Sequence, residues 1–256
     1  MILTYYHLTV FFLIFSRFIG MILVAPFFTM KSIISIGKIT FTFWVSILVM
    51  FVVSLPQDLP TTMMAFFLAI LVELAVGLII GFTANMIMTS IEFAGTLMDT
   101  QAGLSSASVL DPTSGKNAAL IELFMKYIAI LLFLLMNGHH MVISAVFESF
   151  SIIPLGKPVD FSKGAHFLLS IGTEIFVIGL KLASPIILVI FIVDFCFGIL
   201  NKVAEQVNVF QLGFQVKPTV SIIVFLGISP GFILVLIGII EKVMEYLIKM
   251  LGFFVT

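Results

Sequence analysis

The sequence predicts an all-α, polytopic membrane protein, and three observations carry that reading. Hydrophobic residues make up 61% of the 256 and charged residues 10%, with a mean hydropathy of +1.30; a soluble globular chain carries about 25% charge. Apolar runs at 8–28, 39–55, 63–84, 120–136, 167–200 and 219–240 approach or exceed the ~20 residues that cross a bilayer. No soluble domain, internal repeat or low-complexity linker separates them, so residues 1–256 read as one membrane-embedded helical unit.

The first run is not a cleavable signal segment, because it lacks a basic start, carries Arg17 in its middle and shows no small-residue cleavage pattern. Lys31 and Lys38 follow it without an acid, whereas the next connection carries Asp58 without a base. The positive-inside rule then places the first connection in the cytoplasm and the N-terminus outside. Runs 86–97 and 241–254 are amphipathic, and 141–155 is apolar but short, ending at Pro154. Run 167–200 is too long for one span, and Ser184-Pro185 predicts a break or kink within it.

Composition also excludes functions. A net charge of −1 offers no basic footprint for nucleic acid. Cys196, the single cysteine, sits in an apolar run and is expected as a buried, inert thiol. No nucleophile–base pair, phosphate-binding glycine loop or HExxH occurs, so no enzyme activity and no cofactor are expected. His139 and His140 are adjacent, do not share a helical face and lack nearby ligands at metal spacing. They read as a turn with imidazoles at an interface, not a metal site.

Segment 99–117, DTQAGLSSASVLDPTSGKN, departs from everything around it. Its side chains are small and polar, with only Asp99, Asp111 and Lys116 charged. Irregular backbone is tolerated at membrane depth only where protein or a watery cavity receives it. The segment is therefore either a pore element or an ordinary connection outside the membrane.

Nearly every apolar run holds an ionisable residue: Arg17, Glu73, Glu92, Lys126, Glu174 with Lys181, and Asp194. Each costs about 2.5–3.5 kcal/mol at a helix centre on insertion scales, so each needs a partner. For Arg17 the natural partners are Glu73 and Asp194. Buried pairs that fix helix register are one reading; a charge relay of Arg17, Glu73 and Asp194 in an ion-coupled secondary transporter is the rival. Glu73, Gly77 and Gly81 share one helical stripe. The GxxxG within it admits close approach of a second helix, which suggests a protein–protein face.

Three ordered blocks carry a resemblance. The stretch 92–108, EFAGTLMDTQAGLSSAS, with Asp111-Pro112 and Gly115, resembles the central loop of the FliR family of flagellar type III export-gate proteins. Asn137-Gly138-His139-His140, with Ser149-Phe150 and Ile153-Pro154, is similar to its next block. Asp194, then Gln206, Asn208, Phe210, Gly213 and Lys217, is similar to its C-terminal motif. The chain departs from the pattern at Glu205 and Gln215, where the family favours proline; Pro218 supplies part of that turn. The asparagine–glycine–histidine–histidine block favours the flagellar branch over injectisome relatives.

The resemblance implies a FliP-like part at about 1–165 and a FliQ-like part at 166–256, packed in a helical export-gate assembly in the bacterial inner membrane, at the flagellar basal body. Its implied partners are FliP-like, FliQ-like and FlhB-like subunits and unfolded export substrates. It also implies that Gly103, Ser105, Ser106, Ala107, Ser108, Asp111, Pro112 and Gly115 belong to a plug in the channel, with Gly103 and Gly115 as hinges.

Overall fold

The computed structural model describes residues 5–30, 33–53, 60, 62–104, 119–157, 159, 162–204 and 206–253, and among these every regular element is helical. In chain order they are α1 (Tyr5–Val24), α2 (Ser35–Met50), α3 (Met63–Gln101), α4 (Leu120–Leu135), α5 (Gly138–Ile152), α6 (Ser162–Val203) and α7 (Val209–Gly252). Four of them, α1, α3, α6 and α7, are long and apolar enough to cross a membrane. The broken pair α4–α5 makes a fifth if counted as one span. At 16 residues α2 is too short, so the run at 39–55 is not a full span.

Two further expectations are corrected. Runs 63–84 and 86–97 form one helix of 39 residues, because the polar residues of the second run lie along a face without breaking the backbone. Of the break or kink expected at Ser184-Pro185, the break does not occur: α6 is continuous over 42 residues with Pro185 inside it. Proline cannot donate to the carbonyl four residues earlier, here Lys181. The Ser184 hydroxyl donates to that same carbonyl at 2.8 Å, which removes the reason to break.

The helices fold into two compact units, each discontinuous in sequence. The first comprises Met1–Met88, Phe133–Gly172 and Ile240–Thr256. Its centre is α1, where Leu13, Ile14, Phe18 and Met21 are fully buried. Gly20, Gly77 and Gly81 let α1 and α3 meet backbone to backbone: a Cβ at Gly81 would lie 2.6 Å from the Met21 carbonyl oxygen, and one at Gly77 would collide with that of Arg17. The predicted close approach is real, but the partner is a helix of the same chain. Asn137, in the left-handed region at φ 58°, precedes α5 without a side-chain capping bond. A Cβ on Gly138 would strike the Phe133 ring. That is why asparagine and glycine make the turn here.

The second unit comprises Thr89–Leu132 and Thr173–Ile239. Phe93 packs edge-on against Phe176 at 5.2 Å, and Phe124 against Phe225 at 5.5 Å. Gly95 has no room for a Cβ against the Glu122 backbone, so α3 and the start of α4 touch directly.

Candidate functional site

The polar residues gather at two places, one in each unit. In the first unit Arg17 is fully buried and Glu73 is 1% exposed. The guanidinium donates through Nε to Glu73 Oε2 at 2.6 Å, through one terminal nitrogen to Ser149 Oγ at 2.9 Å, and through the other to the Ile153 carbonyl at 3.0 Å. Its central carbon, Cζ, lies 4.3 Å from the centre of the Phe150 ring. Glu73 Oε1 accepts the Gly156 amide at 3.0 Å. Two charges and three polar groups thus close one network joining α1, α3 and α5 to the turn at Pro154–Gly156. A buried pair is tolerated only when its remaining donors and acceptors are satisfied, and here they are.

Of the two partners expected for Arg17, Glu73 is the one used. Asp194 belongs to the other unit and is exposed, pairing with Lys217 of α7 at 2.5 Å. Its expected burial is corrected: apolar neighbours along α6 reported the run, not the side it faces. Cys196 is likewise exposed rather than buried. The pairs Arg17–Glu73 and Asp194–Lys217 divide the three residues that a transporter relay would need together. Glu92 pairs with Lys126 at 3.0 Å.

The second site begins where α3 ends. Gly103 adopts φ +74°, and its amide donates to Thr100 O while that of Leu104 donates to Asp99 O. This is the Schellman arrangement that stops a helix at a left-handed glycine. Asp99, Thr100 and Gln101 are therefore helical, which moves the start of the central loop later than expected. Small polar side chains alone do not end a helix; the glycine conformation does.

Asp99 has a further role that sequence reading missed. Its side chain is fully buried, and its two oxygens accept the amides of Ile121 at 3.1 Å and Glu122 at 2.8 Å. These are orphan donors of the first turn of α4, which favours an anion. Thr96 adds a hydrogen bond to the Glu122 carboxylate at 2.9 Å. Both feet of the central loop are thereby tied together. The only sequence signals were Gly95 and Asp99 at i and i+4, one face of α3. Ser105, Ser106, Ala107, Ser108, Asp111, Pro112 and Gly115 lie outside the described residues.

Beside the loop's first foot is a cavity of about 670 Å³ lined by Thr100, Gln101 and Gly103. Asp194, Phe197 and Asn201 of α6 continue its wall, with Asn208, Phe210, Gly213 and Lys217 beyond the turn. Asn208 caps α7 by accepting the Gln211 amide at 3.2 Å; Gln206 is an exposed turn residue. Phe210 is exposed and meets Phe214 edge-on at 4.8 Å. Amides, one ion pair and aromatic rings line this space. The rings of His139 and His140 lie 4.3 Å apart, tilted by 42°, and His139 lies 6.5 Å from Phe27. No cluster of three metal-ligating side chains occurs among the described residues.

Long apolar helices, a saturated internal charge lock and an anchored polar loop define a polytopic membrane protein organised by packing. The chain belongs to the bacterial export proteins, family 1, whose model matches residues 8–243. It is 29% identical over 219 residues to the flagellar biosynthetic protein FliR of Bacillus subtilis, covering 84% of each chain. To FliR of Pectobacterium carotovorum it is 32% identical, over 83% of this chain and 81% of that one. The secretion system apparatus protein SsaT of Salmonella typhimurium is 26% identical over 62% of this chain and 61% of its own.

Proposed function

We propose that the chain is a non-enzymatic subunit of the flagellar type III export gate in the bacterial inner membrane, forming part of the channel for unfolded substrates. The observation that carries this reading is the Asp99 anchor, which fixes both feet of a polar, small-residue loop in an otherwise apolar protein. Such a loop can close a passage while its ends stay in place, and residues 105–115 are the proposed plug. The flagellar relatives match over a larger share of the chain than the secretion system apparatus protein does, which favours the flagellar branch. FliP-like, FliQ-like and FlhB-like subunits are the proposed partners, with residues 1–165 and 166–256 as the FliP-like and FliQ-like parts. Large exposed residues on α6 and α7, such as Phe191, Phe195 and Leu234, suit greasy protein neighbours.

Purification of the tagged chain from its own cells in mild detergent tests the proposal. Recovery with two other small membrane proteins, identified by mass spectrometry, is expected. A solitary chain or a homo-oligomer would overturn it.

A further inference from the structure

Helices α6 and α7 carry the same local device twice. In α6, Pro185 leaves the Lys181 carbonyl without its amide donor, and the Ser184 hydroxyl donates there at 2.8 Å. In α7, Pro230 leaves the Leu226 carbonyl in the same position, and the Ser229 hydroxyl donates to it at 2.9 Å. Pro218, the third helical proline, is preceded by Lys217 and has no such serine. The two devices are also close to level. Asp194 meets Lys217, and Phe197 lies opposite Gly213. Carried back along two straight antiparallel helices, that register would set Pro185 opposite Leu226, four residues or about 6 Å from Pro230.

Within this chain the surroundings permit movement. Ser184, Pro185 and Pro230 are exposed. Gly227 and Gly231 flank the α7 device, and a Cβ at either would meet nothing within 4 Å, so close packing within the chain does not account for them. Proline removes one rung of the helical ladder and is the commonest cause of a sharp bend. In an apolar setting a freed carbonyl is costly unless a nearby group satisfies it. A serine hydroxyl rotates with its side chain and can follow the carbonyl as the bend changes, which an amide held in the backbone cannot.

We propose that Ser184-Pro185 and the segment Gly227 to Gly231 form a hinge across which α6 and α7 change their bend together. The two hydroxyls keep the proline-freed carbonyls paired in each bend. That the motion serves substrate passage rests on the export-gate reading; that the helices bend does not.

Pulsed electron paramagnetic resonance on the purified complex tests it, with spin labels at Ile223→Cys and Ile248→Cys in a Cys196→Ser background. The distance distribution is expected to be broad or two-peaked, and to narrow to a single peak when Pro185→Ala and Pro230→Ala are combined. Equal widths with and without the prolines would overturn the hinge. The pair Ser184→Ala and Ser229→Ala should lower complex yield several-fold. Ser170→Ala, which removes the same kind of bond to the Phe167 carbonyl (2.7 Å) without a proline, should not. Equal loss from all three serines would overturn the role assigned to the hydroxyls. Secretion of flagellar substrates separates the two readings: a narrowed distribution with secretion reduced tenfold or more supports both. The same narrowing with normal secretion upholds the hinge and removes its role in export.

Discussion

Asp99, in the last turn of α3, holds the amide of Glu122, in the first turn of α4, at 2.8 Å across 23 residues of sequence. Its other oxygen holds Ile121. One carboxylate from the last turn of α3 therefore caps the start of α4 and sets where the intervening segment returns.

Replacing Asp99 tests that anchor. Asp99→Ala leaves two amides without acceptors and should cost about 1–2 kcal/mol. Asp99→Asn keeps one acceptor and should fall between. Thermal stability of the purified complex gives the ranking; an alanine variant as stable as the parent would show that the anchor is idle.

The central loop can be shortened independently. Deleting residues 105–108 should leave the complex assembled, since Asp99 still joins the feet, yet let ions or dyes leak across the membrane. Conductance or dye uptake in whole cells reads the difference. Intact assembly without leakage would count against a plug.

Arg17→Ala strands a buried carboxylate and should destabilise by about 3–5 kcal/mol. Adding Glu73→Gln should recover part of this, because the remaining amide is neutral and can still accept from Gly156. Adding Asp194→Asn should recover none. Complex yield in mild detergent orders the variants, and equal recovery from both second changes would refute the pairing.

Gly77→Leu and Gly81→Leu should push α1 away from α3 and abolish the folded chain or sharply lower its yield, beyond the usual ~1–3 kcal/mol of core overpacking. Leu71→Ile, on an exposed part of α3, should be neutral. Normal yield from both glycine variants would mean that the helices separate at little cost.

Asp194→Lys should weaken the α6–α7 contact by placing two cations together, and the exchange Asp194→Lys with Lys217→Asp should restore it. For an exposed pair the effect is about 1 kcal/mol or less, so cross-linking between cysteines placed at Val193 and Phe214 is a more sensitive readout than melting. Failure of the exchange to restore cross-linking would show that the pair does not hold the helices in register.

What was legible in the sequence follows from how local each signal is. Arg17 had to be paired because a lone cation among apolar residues is prohibitive, and Glu73 stood among its two named partners. The glycine stripe at 77 and 81 announced a close contact, but a stripe does not say whose backbone it meets. Asn208 and Gly138 belong to short, local turn chemistry, and the family blocks contained both. Asp99 looked like one more polar loop residue because its partners lie beyond the loop, and only the return of the chain to α4 gives its carboxylate a task. Asp194 and Cys196 were misjudged for a different reason. Hydropathy records what surrounds a residue along the chain, whereas exposure depends on which side of a helix another helix covers. Of the break or kink expected at Ser184-Pro185, the break is absent because the neighbouring hydroxyl satisfies the carbonyl that the proline frees.

The Arg17 network also sets a timetable for synthesis. Glu73 follows Arg17 by 56 residues and the Ile153 carbonyl by 136. At about 5–20 residues per second, α1 emerges about 3–11 s before its counter-ion and about 7–27 s before the last acceptor. During that interval the unpaired guanidinium costs about 2.5–3.5 kcal/mol at a helix centre, which favours a wait for α1 near the lipid headgroups or beside the insertion machinery. Ribosome-bound chains halted just before and just after residue 73 are expected to differ in whether α1 has entered the bilayer.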